Sequence, residues 1–514
     1  MIQFLHRSVQ TGLFATALAL QGCAQLPPQT DRTVSVALQD TGGTRLGRIV
    51  EPLARAHPGK SGVIALPQGM DAFAARSRLA DVAERSLDVQ YYIWHDDISG
   101  GLLLDALRRA ADRGVRVRLL LDDNNTSELE PVLLELVEHR NIEVRLFNPF
   151  RVRGLRALDY LTDFARVNRR MHNKSFTADN QVTIVGGRNV GDEYFGVGEE
   201  LQFVDLDVMA IGQVVHDVSR DFDRYWASES AYPADRVLQA QRGHPSVLHA
   251  APVRAAPSTT TRAYLDALAR QPFVKEMLAA QLSFEWAVVH MVSDDPSKGE
   301  GLASNDELLW PRLLRVLPPA KNELELVSPY FVPGDSGVEH FAALARRGVK
   351  VTILTNSLEA TDVIAVHSGY AKRRKPLLEA GITLLEIKRN ASTPASRGLT
   401  TGSTSASSLH AKTFSIDRLV LFVGSFNFDP RSEHLNTEMG FVIECAAMAS
   451  TISDAIRGPL AARSYRVELG PEGALQWVER TDGKDLVWND EPGAGFWRRL
   501  GVSLMSLLPI EWLL

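Results

Sequence analysis

Two stretches of the chain contain the same polar residues at the same spacing. Residues 171–191 read MHNKSFTADNQVTIVGGRNVG, and residues 409–429 read LHAKTFSIDRLVLFVGSFNFD. Their histidines are 410 − 172 = 238 positions apart. At that offset eight identities coincide, which pair His172, Lys174, Phe176, Asp179, Val182, Val185, Gly186 and Asn189 with His410, Lys412, Phe414, Asp417, Val420, Val423, Gly424 and Asn427. A constellation that occurs twice predicts two halves that share one site.

Each stretch has the residue types of half a phosphodiester-cleaving site. Residues two apart on a strand point to the same face, so we expect His172 beside Lys174. A glycine-containing turn should return a second strand that brings Asn189 next to them. Lysine and amide groups bind phosphoryl oxygens, and histidine can act as nucleophile or proton donor near neutral pH. Two halves would place two imidazoles on opposite sides of one phosphorus, and the lysines would neutralise charge without a metal or a cofactor.

The paired stretches resemble the HKD motifs of the phospholipase D superfamily. The matching residues are His172-x-Lys174-x4-Asp179 and His410-x-Lys412-x4-Asp417, followed by GGRN at 186–189 and GSFN at 424–427. The resemblance implies a covalent mechanism in which His172 attacks phosphorus and His410 transfers protons. The sequence leaves the reverse assignment open. The resemblance also implies that Asp179 and Asp417 are more structural than chemical, and we expect Asn189 and Asn427 to bind phosphate.

A catalytic histidine also needs a carboxylate that fixes its tautomer. Asp205 in FVDLDVMAIG and Glu438 in NTEMGFVI stand at matching places, with Gly212 and Cys445 following them at the same distance. We predict that these two carboxylates orient the histidines. A plain carboxylate at a strand edge is the alternative interpretation of both.

Further motifs resemble the bacterial cardiolipin synthase C group. They are GGRNVGDEYF at 186–195, DDPSK at 294–298, SPYFVPG at 328–334, TNSLEATDVIAVHSGY at 355–370 and LPIEWLL at 508–514. The resemblance implies transfer of a phosphatidyl group from one phospholipid, phosphatidylethanolamine, to phosphatidylglycerol, which gives cardiolipin. Lys298, Tyr330 and His367 are then candidates for lining a lipid cleft, with packing or surface roles as the alternative.

The function predicted from these resemblances requires phospholipid substrates and a membrane surface as partners. The sequence does not identify protein partners. Nucleic acid is not expected, because the formal net charge is −6 and a nucleic-acid footprint is basic. Three other functions stay open: a phospholipase D that hydrolyses phospholipids, a nuclease on the same scaffold, and a lipid-binding lipoprotein without activity.

The elements around the motifs form a repeated α/β series. Strands are predicted at 87–94, 115–121 and 142–147 with helices at 101–113 and 131–139, and the pattern returns as strand 324–331, helix 338–347 and strand 349–354. This alternation predicts mostly parallel or mixed sheets flanked by helices. The predicted fold is therefore α/β, with two pseudo-symmetric phospholipase D-like domains and one shared active site. We place the domains at 49–250 and 251–470, and a C-terminal tail at 471–514.

The N-terminus has the pattern of an export signal. Residues 1–22 contain Arg7 and an apolar run at 11–20, and they end in Leu-Gln-Gly before Cys23. We predict a signal peptide at 1–22, lipidation of Cys23 and a tether at 23–48, which would anchor the protein on the periplasmic side of a membrane, inner or outer. A plain signal peptide and an uncleaved anchor are the alternatives. The other cysteine, Cys445, is predicted to be a lone thiol in a buried strand.

Two other segments have more than one interpretation. Residues 391–408 are rich in Ser and Thr and immediately precede the second motif, so they are either a lid or a long insertion. Residues 495–514 are apolar with a central Arg pair, and they either pack on the body or lie in a membrane interface. With 514 residues and 45% hydrophobic content, the chain is long enough for more than one core.

Overall fold

The computed structural model describes residues 26–30, 32–197, 202–238, 259–278, 281–389, 407–481 and 483–514. The predicted signal peptide, Cys23 and residues 391–406 lie outside the described residues. Within the described ranges no helix combines the length and the apolar character that crossing a bilayer requires.

The first half is a mixed sheet with helices packed on it. Its strands are β1 (Ser61–Leu66), β2 (Ser86–Tyr91), β3 (Arg116–Asp122), β4 (Ile142–Phe147), β5 (Ser175–Ala178), β6 (Val182–Gly186), β7 (Gln202–Val204), β8 (Asp207–Gly212) and β9 (Ala231–Pro233). The order across the sheet is β9-β4-β3-β2-β5-β6-β8-β1. Within this sheet β2, β3 and β4 are parallel and the other pairings are antiparallel. Strand β7 lies outside this sheet.

The helices of this half alternate with its strands. They are α1 (Arg45–Ala56), α2 (Gly69–Val82), α3 (Ile98–Asp112), α4 (Glu130–Val137), α5 (Ala157–Thr162), α6 (Phe164–Val167), α7 (Asp192–Phe195), α8 (Gln213–Ala227), α9 (Ala234–Val237), α10 (Thr259–Arg270) and α11 (Pro272–Leu278). Helix α1 begins inside the predicted tether, so residues 45–48 are helical. Residues before it contact the body, as where Ala37 donates its N–H to Asp223 at 2.9 Å.

The second half repeats the same order of strands. Its strands are β10 (Glu285–Ser293), β11 (Glu323–Val327), β12 (Lys350–Asn356), β13 (Thr383–Ile387), β14 (Ser407–Leu409), β15 (Lys412–Ile416), β16 (Val420–Gly424), β17 (Met439–Glu444), β18 (Ser464–Leu469), β19 (Leu475–Thr481) and β20 (Lys484–Trp488). The order β18-β13-β12-β11-β15-β16-β17-β10 matches the first half strand for strand. Strands β19 and β20 extend this sheet beyond β18.

The helices of the second half follow the same alternation. They are α12 (Leu309–Val316), α13 (Gly334–Arg346), α14 (Ile364–Ala371), α15 (Arg374–Glu379), α16 (Pro430–His434), α17 (Ala446–Ala455) and α18 (Phe496–Ser506). Cys445 is buried with a free thiol, as predicted, but it lies just after β17, between that strand and α17, rather than in a strand.

Strand β10 joins the halves, because its first residues pair with β1 and its remaining residues pair with β17. The result is one 18-stranded sheet. A buried apolar cluster with members from both halves, including Val185, Val208, Val423 and Phe441, packs across the junction. Burial of this apolar surface holds the halves in a fixed relation.

The predicted α/β fold class is confirmed, whereas two predicted strands, 87–94 and 324–331, end too late. Strand β2 ends at Tyr91, because the chain then leaves the sheet and Trp94 bridges Val190 beside the first motif. Strand β11 likewise ends at Val327, and Phe331 bridges Phe428 beside the second motif. The apolar runs continue past the strands because these residues pack around the site. The domain boundaries stay predictions.

Candidate active site

Each motif forms a β-hairpin whose turn lies at the end opposite its histidine. The predicted glycine turn is wrong: Asp179 (φ 52°) and Asn180 (φ 53°) occupy the left-handed region in the first hairpin. Asp417 (φ 52°) and Arg418 (φ 57°) do so in the second. Asp and Asn occupy this region more readily than most residues with a side chain, whereas Arg418 has no such preference. Gly186 instead ends the second strand of its hairpin.

The two motif aspartates hold backbone and do not reach the histidines. Asp179 accepts the N–H groups of residues 84–86 at 2.7–3.2 Å. Asp417 accepts those of residues 321–323 at 2.7–2.9 Å. Burial alone would raise the pKa of Asp417, but these backbone donors outweigh it and lower the pKa. Each aspartate thus ties its hairpin turn to the segment entering β2 or β11.

Two short parallel pairings between the halves place each histidine beside a carboxylate of the other half. Met171 bridges Thr437, and Leu409 pairs with Val204 where β14 lies beside β7. The next residue along each segment is therefore a histidine facing a carboxylate of the other half. His172 Nδ1 lies 2.8 Å from Oε2 of Glu438.

The second pair has the same arrangement with a shorter carboxylate. His410 Nδ1 lies 2.7 Å from Oδ2 of Asp205. The structure thus brings both predicted carboxylates to the predicted histidines, each to the histidine of the opposite half.

Both histidines face one pocket of about 370 Å³. Its lining includes Asn189 and Asn427, which the sequence predicts to bind phosphate. Asn427 is buried and its Oδ1 has no hydrogen-bond partner. Asn189 Nδ2 donates to Tyr194 Oη at 3.0 Å. A larger groove of about 1050 Å³ contains none of the predicted site residues.

Lys174 and Lys412 are buried behind the histidines. Each ammonium donates to the carbonyl oxygen of the histidine two residues earlier. Lys412 Nζ also lies 3.1 Å from Nε2 of His410. Burial lowers the pKa of Lys174 well below its usual value and that of Lys412 to about 8. The two groups therefore supply positive charge that is sensitive to alkaline pH.

The carboxylates have unequal neighbours at positions related by the 238-residue offset. Ser425 replaces Gly187, and its hydroxyl donates to Glu438. Ser432 replaces Tyr194, and it donates to the other oxygen of Glu438 at 2.9 Å. A Cβ on Gly187 would lie 2.2 Å from Oδ1 of Asp205, so that position has no room for a side chain.

This difference in surroundings accompanies a difference in proton affinity. Burial opposes ionisation of Asp205, but His410 and Lys412 outweigh it and lower the pKa of Asp205 to about 2. Burial prevails at Glu438 and raises its pKa to about 7, despite nearby Lys174 and the serine hydroxyls. The two sites are thus electrostatically distinct although their geometry is alike.

The pKa values of both histidines are lowered, but to different extents. Burial, followed by the charges of Lys174 and Lys412, lowers the pKa of His172 well below its usual value. Burial and Lys412 also lower the pKa of His410, whereas Asp205 opposes the change. Neutral His172 with Nδ1–H directed at Glu438 leaves Nε2 free to act as a nucleophile.

Of the three residues predicted to line a lipid cleft, Tyr330 lines the pocket and the other two do not. Lys298 is buried and pairs with Asp294 at 2.9 Å. Asp294 in turn accepts the N–H of Glu438 at 2.8 Å, so the pair fixes that segment. His367 is buried beside Arg374, with 2.7 Å between Nε2 and the guanidinium.

Several residues that sequence reasoning missed also contribute to the site. Tyr92 packs edge-on against His172, with ring centroids 4.9 Å apart, and Tyr194 does so against His410 at 5.1 Å. Aligning the two copies at the 238-residue offset could have identified Ser425 and Ser432, because the first copy has a different residue at each of these positions. Leu513 and Leu514 belong to the motif at 508–514, but nothing in that motif predicts that they line the pocket.

Comparison with protein families places both halves in one family. The family described as cardiolipin synthase, PLD-like domain, matches residues 77–226 and 313–457. Cardiolipin synthase C of Escherichia coli (strain K12) is 50% identical over 473 residues, which are 91% of this chain and 100% of that protein. Cardiolipin synthase of Halalkalibacterium halodurans is 24% identical over 392 residues, which are 76% of this chain and 64% of that protein.

A solved structure has a similar fold. The crystal structure of phosphatidylserine synthase from Haemophilus influenzae Rd KW20 aligns with a TM-score of 0.57 at 12% sequence identity. The alignment covers 92% of this chain and 100% of that chain.

Proposed function

Because the chain belongs to the cardiolipin synthase, PLD-like domain family, we propose that it is a transphosphatidylase that makes cardiolipin from phosphatidylglycerol and a second phospholipid. The donor we propose is phosphatidylethanolamine. The observation that carries the proposal is the pair of imidazoles, each held by a carboxylate of the other half, at one pocket with buried lysines behind them.

The proposed reaction has two displacements at phosphorus. Nε2 of His172 attacks the donor phosphate, the bond from phosphorus to the headgroup oxygen breaks, and His410 gives that oxygen a proton. His410 then takes the proton of a phosphatidylglycerol hydroxyl, whose oxygen attacks the phosphohistidine. Cardiolipin leaves and His172 is restored. Lys174 and Lys412 stabilise the charge on the phosphoryl oxygens, and Asn189 and Asn427 position them.

The unequal carboxylates support the assignment of roles. Asp205 is ionised across the physiological range, since its pKa lies at about 2, and it opposes the lowering of the pKa of His410 by burial and Lys412, which supports the protonated form that a proton donor needs. Glu438 supports the ring of His172, which becomes cationic when Nε2 is phosphorylated. Asp179 and Asp417 act through the backbone and maintain the hairpins.

Membrane association follows from phospholipid substrates, and we propose a lipid anchor at Cys23 on the periplasmic side as its means. Replacing Cys23 by serine should release the protein from the membrane fraction or weaken its retention. Mass spectrometry of the wild-type N-terminus should find acyl chains on Cys23, and an unmodified Cys23 would contradict the anchor.

The proposed activity is tested with purified protein and vesicles of phosphatidylglycerol, with and without phosphatidylethanolamine. We expect cardiolipin in both, and more with the second lipid. Phosphatidic acid without cardiolipin would instead indicate hydrolysis, and cleavage of DNA in chelator would indicate a nuclease.

The catalytic roles are tested with two substitutions. His172→Ala should abolish turnover, because no other nucleophile faces the phosphate in this proposal. His410→Asn should let a phosphohistidine accumulate, and mass spectrometry should locate it on His172. An adduct on position 410 of the reverse variant, His172→Asn, would overturn the assignment.

A further inference from the structure

Helix α18 directs large apolar side chains away from the protein. Trp497, Leu500 and Leu504 follow one another at helical spacing and are 79%, 36% and 58% exposed. The opposite face packs through Val502 against Leu358. A surface helix of a soluble protein ordinarily has the reverse pattern, with its apolar side inward. Scattered exposed apolar residues need no explanation, but a contiguous stripe marks an interaction surface.

The exposed apolar surface continues beyond this helix. Leu507 is 81% exposed, and Trp512 is 57% exposed. The ring of Trp512 contacts Phe164 of α6, with centroids 6.4 Å apart, and Leu161 of α5 is 82% exposed. We call this surface the apolar rim and define it as Leu161, Phe164, Trp497, Leu504, Leu507 and Trp512.

The apolar rim borders the mouth of the catalytic pocket. Leu513 and Leu514 directly follow Trp512 in the chain, and both line that pocket. Val363, which also lines it, precedes α14, the helix on which α18 packs. Arg431, another lining residue, donates its backbone N–H to the carbonyl of Leu514 at 2.7 Å. The rim and the pocket are therefore parts of one continuous surface.

The composition of the rim matches a bilayer surface. Tryptophan is enriched where water meets lipid, because its ring is apolar and its N–H is polar. Residues 495–514 contain Arg498 and Arg499 and one acidic residue, Glu511, which pairs with Arg373 at 3.0 Å, whereas the whole chain carries a net charge of −6. Basic side chains beside an apolar face are attracted to anionic headgroups.

We propose that the apolar rim docks on an anionic phospholipid bilayer, with its apolar side chains among the headgroups and upper acyl chains, and directs the catalytic pocket toward lipid. The choice of lipid rather than protein as the occupant rests on the proposed function. Docking would shorten the path that a substrate headgroup travels from the bilayer to the histidines.

The test uses the full chain with Cys23→Ser, so that no acyl anchor contributes to binding. The test variant carries Trp497→Asp and Leu504→Asp, neither of which lines the pocket. The matched control is Leu419→Asp, at a leucine that is also 58% exposed but lies in the β15–β16 turn, away from the histidines. Binding to phosphatidylglycerol–phosphatidylethanolamine vesicles is measured by sedimentation, and depth by quenching of tryptophan fluorescence with brominated lipid.

We expect the double variant to bind vesicles about tenfold or more weakly, because each substitution replaces apolar area that would be buried in lipid with a charge. The control should bind like its parent. The double variant should turn over a short-chain phosphatidylglycerol, dispersed as monomers, at a rate within about twofold of its parent. The rim buries apolar area only at a bilayer, so its loss should not affect monomeric substrate.

Equal vesicle binding by the double variant and its parent would overturn the proposal. So would an equal loss of monomer turnover and vesicle binding, because that result indicates misfolding or a role inside the pocket. Rim-dependent capture of a protein, without vesicle binding, would assign the surface to a protein partner. Rim-dependent vesicle binding by a parent that forms no cardiolipin would refute the proposed function and support the docking surface.

Discussion

Replacing Glu438 by glutamine removes a charge beside His172 and nearly preserves the shape. The buried carboxylate accepts a hydrogen bond from Nδ1–H of His172 at 2.8 Å. Phosphorylation makes the ring of His172 cationic, so the ring and the carboxylate then attract each other. Two unit charges about 4 Å apart attract by about 4 kcal/mol at an effective dielectric constant of about 20. A neutral amide keeps a hydrogen bond worth about 1 kcal/mol. The loss of about 3 kcal/mol predicts a fall in kcat of about 100-fold, since about 1.4 kcal/mol is tenfold.

The assay compares two donors at about pH 7.5, where Glu438, with a pKa of about 7, is mostly ionised. One donor is phosphatidylethanolamine, whose alcohol needs a proton to leave. The other is a phosphatidyl p-nitrophenyl ester, whose phenolate leaves without one. Glu438→Gln should be slow with both donors, because it weakens attack by His172. Asp205→Asn, the matched variant at the other histidine, should be slow with the first donor and recover the initial burst of p-nitrophenolate release with the second, because that step needs no proton donor.

Two results would refute this reasoning. A fall in kcat of less than about threefold would show that the carboxylate charge does not stabilise the cationic ring, because the expected fall is about 100-fold. Recovery of Glu438→Gln with the activated ester would show that its histidine donates the proton, which reverses the roles of His172 and His410. Thermal unfolding of each variant checks that the fold is retained.

The remaining predictions concern protonation, stability and metal. The value of kcat/KM should rise with pH through about 7 as Glu438 ionises and fall above about 8 as Lys412 loses its proton, and a flat pH profile across both values would contradict this. Ser425→Ala removes a donor to the carboxylate and should raise the pKa of Glu438, so the acid limb should move up by about one unit, as about 1.4 kcal/mol requires; an unmoved limb would show that the hydroxyl contributes little. Asp179→Ala removes the acceptor of three backbone N–H groups and should lower the free energy of unfolding in urea by about 3 kcal/mol, whereas an unchanged midpoint would remove its structural role. Turnover should persist in excess chelator, and a loss that added metal restores would contradict the metal-free mechanism.

Residues that repeat in register were predictable because each copy has a local signal. The 238-residue offset identifies His172, Lys174 and Asn189 together with their counterparts, and apolar alternation identifies the α/β class. The prediction that strands extend to 94 and 331 failed because apolar residues lining a site look like strand residues. The glycine turn failed because Asp and Asn can also adopt the left-handed conformation that a glycine would supply.

The exchange of carboxylates between halves was not predictable from spacing. Glu438 and Asp205 could be identified as equivalent, but which histidine each one meets depends on the parallel pairing of Met171 with Thr437 and of Leu409 with Val204. Such pairings join segments that are distant in sequence, and no periodicity encodes them. The unequal pKa values arise because burial prevails at Glu438, whereas His410 and Lys412 outweigh burial at Asp205, and composition alone does not reveal either effect.

Covalent continuity between the halves has an evolutionary consequence. Two identical chains related by a twofold axis would be obliged to place the same residue at both equivalent positions, so each change would appear twice. In a single duplicated chain, Gly187 and Ser425 are free to differ, and one copy can acquire a hydroxyl while the other keeps space for a carboxylate. Fusion after duplication thus permits a division of labour between two imidazoles that a symmetric dimer would keep alike. Because each histidine meets a carboxylate of the other half, neither half on its own contains a complete pair.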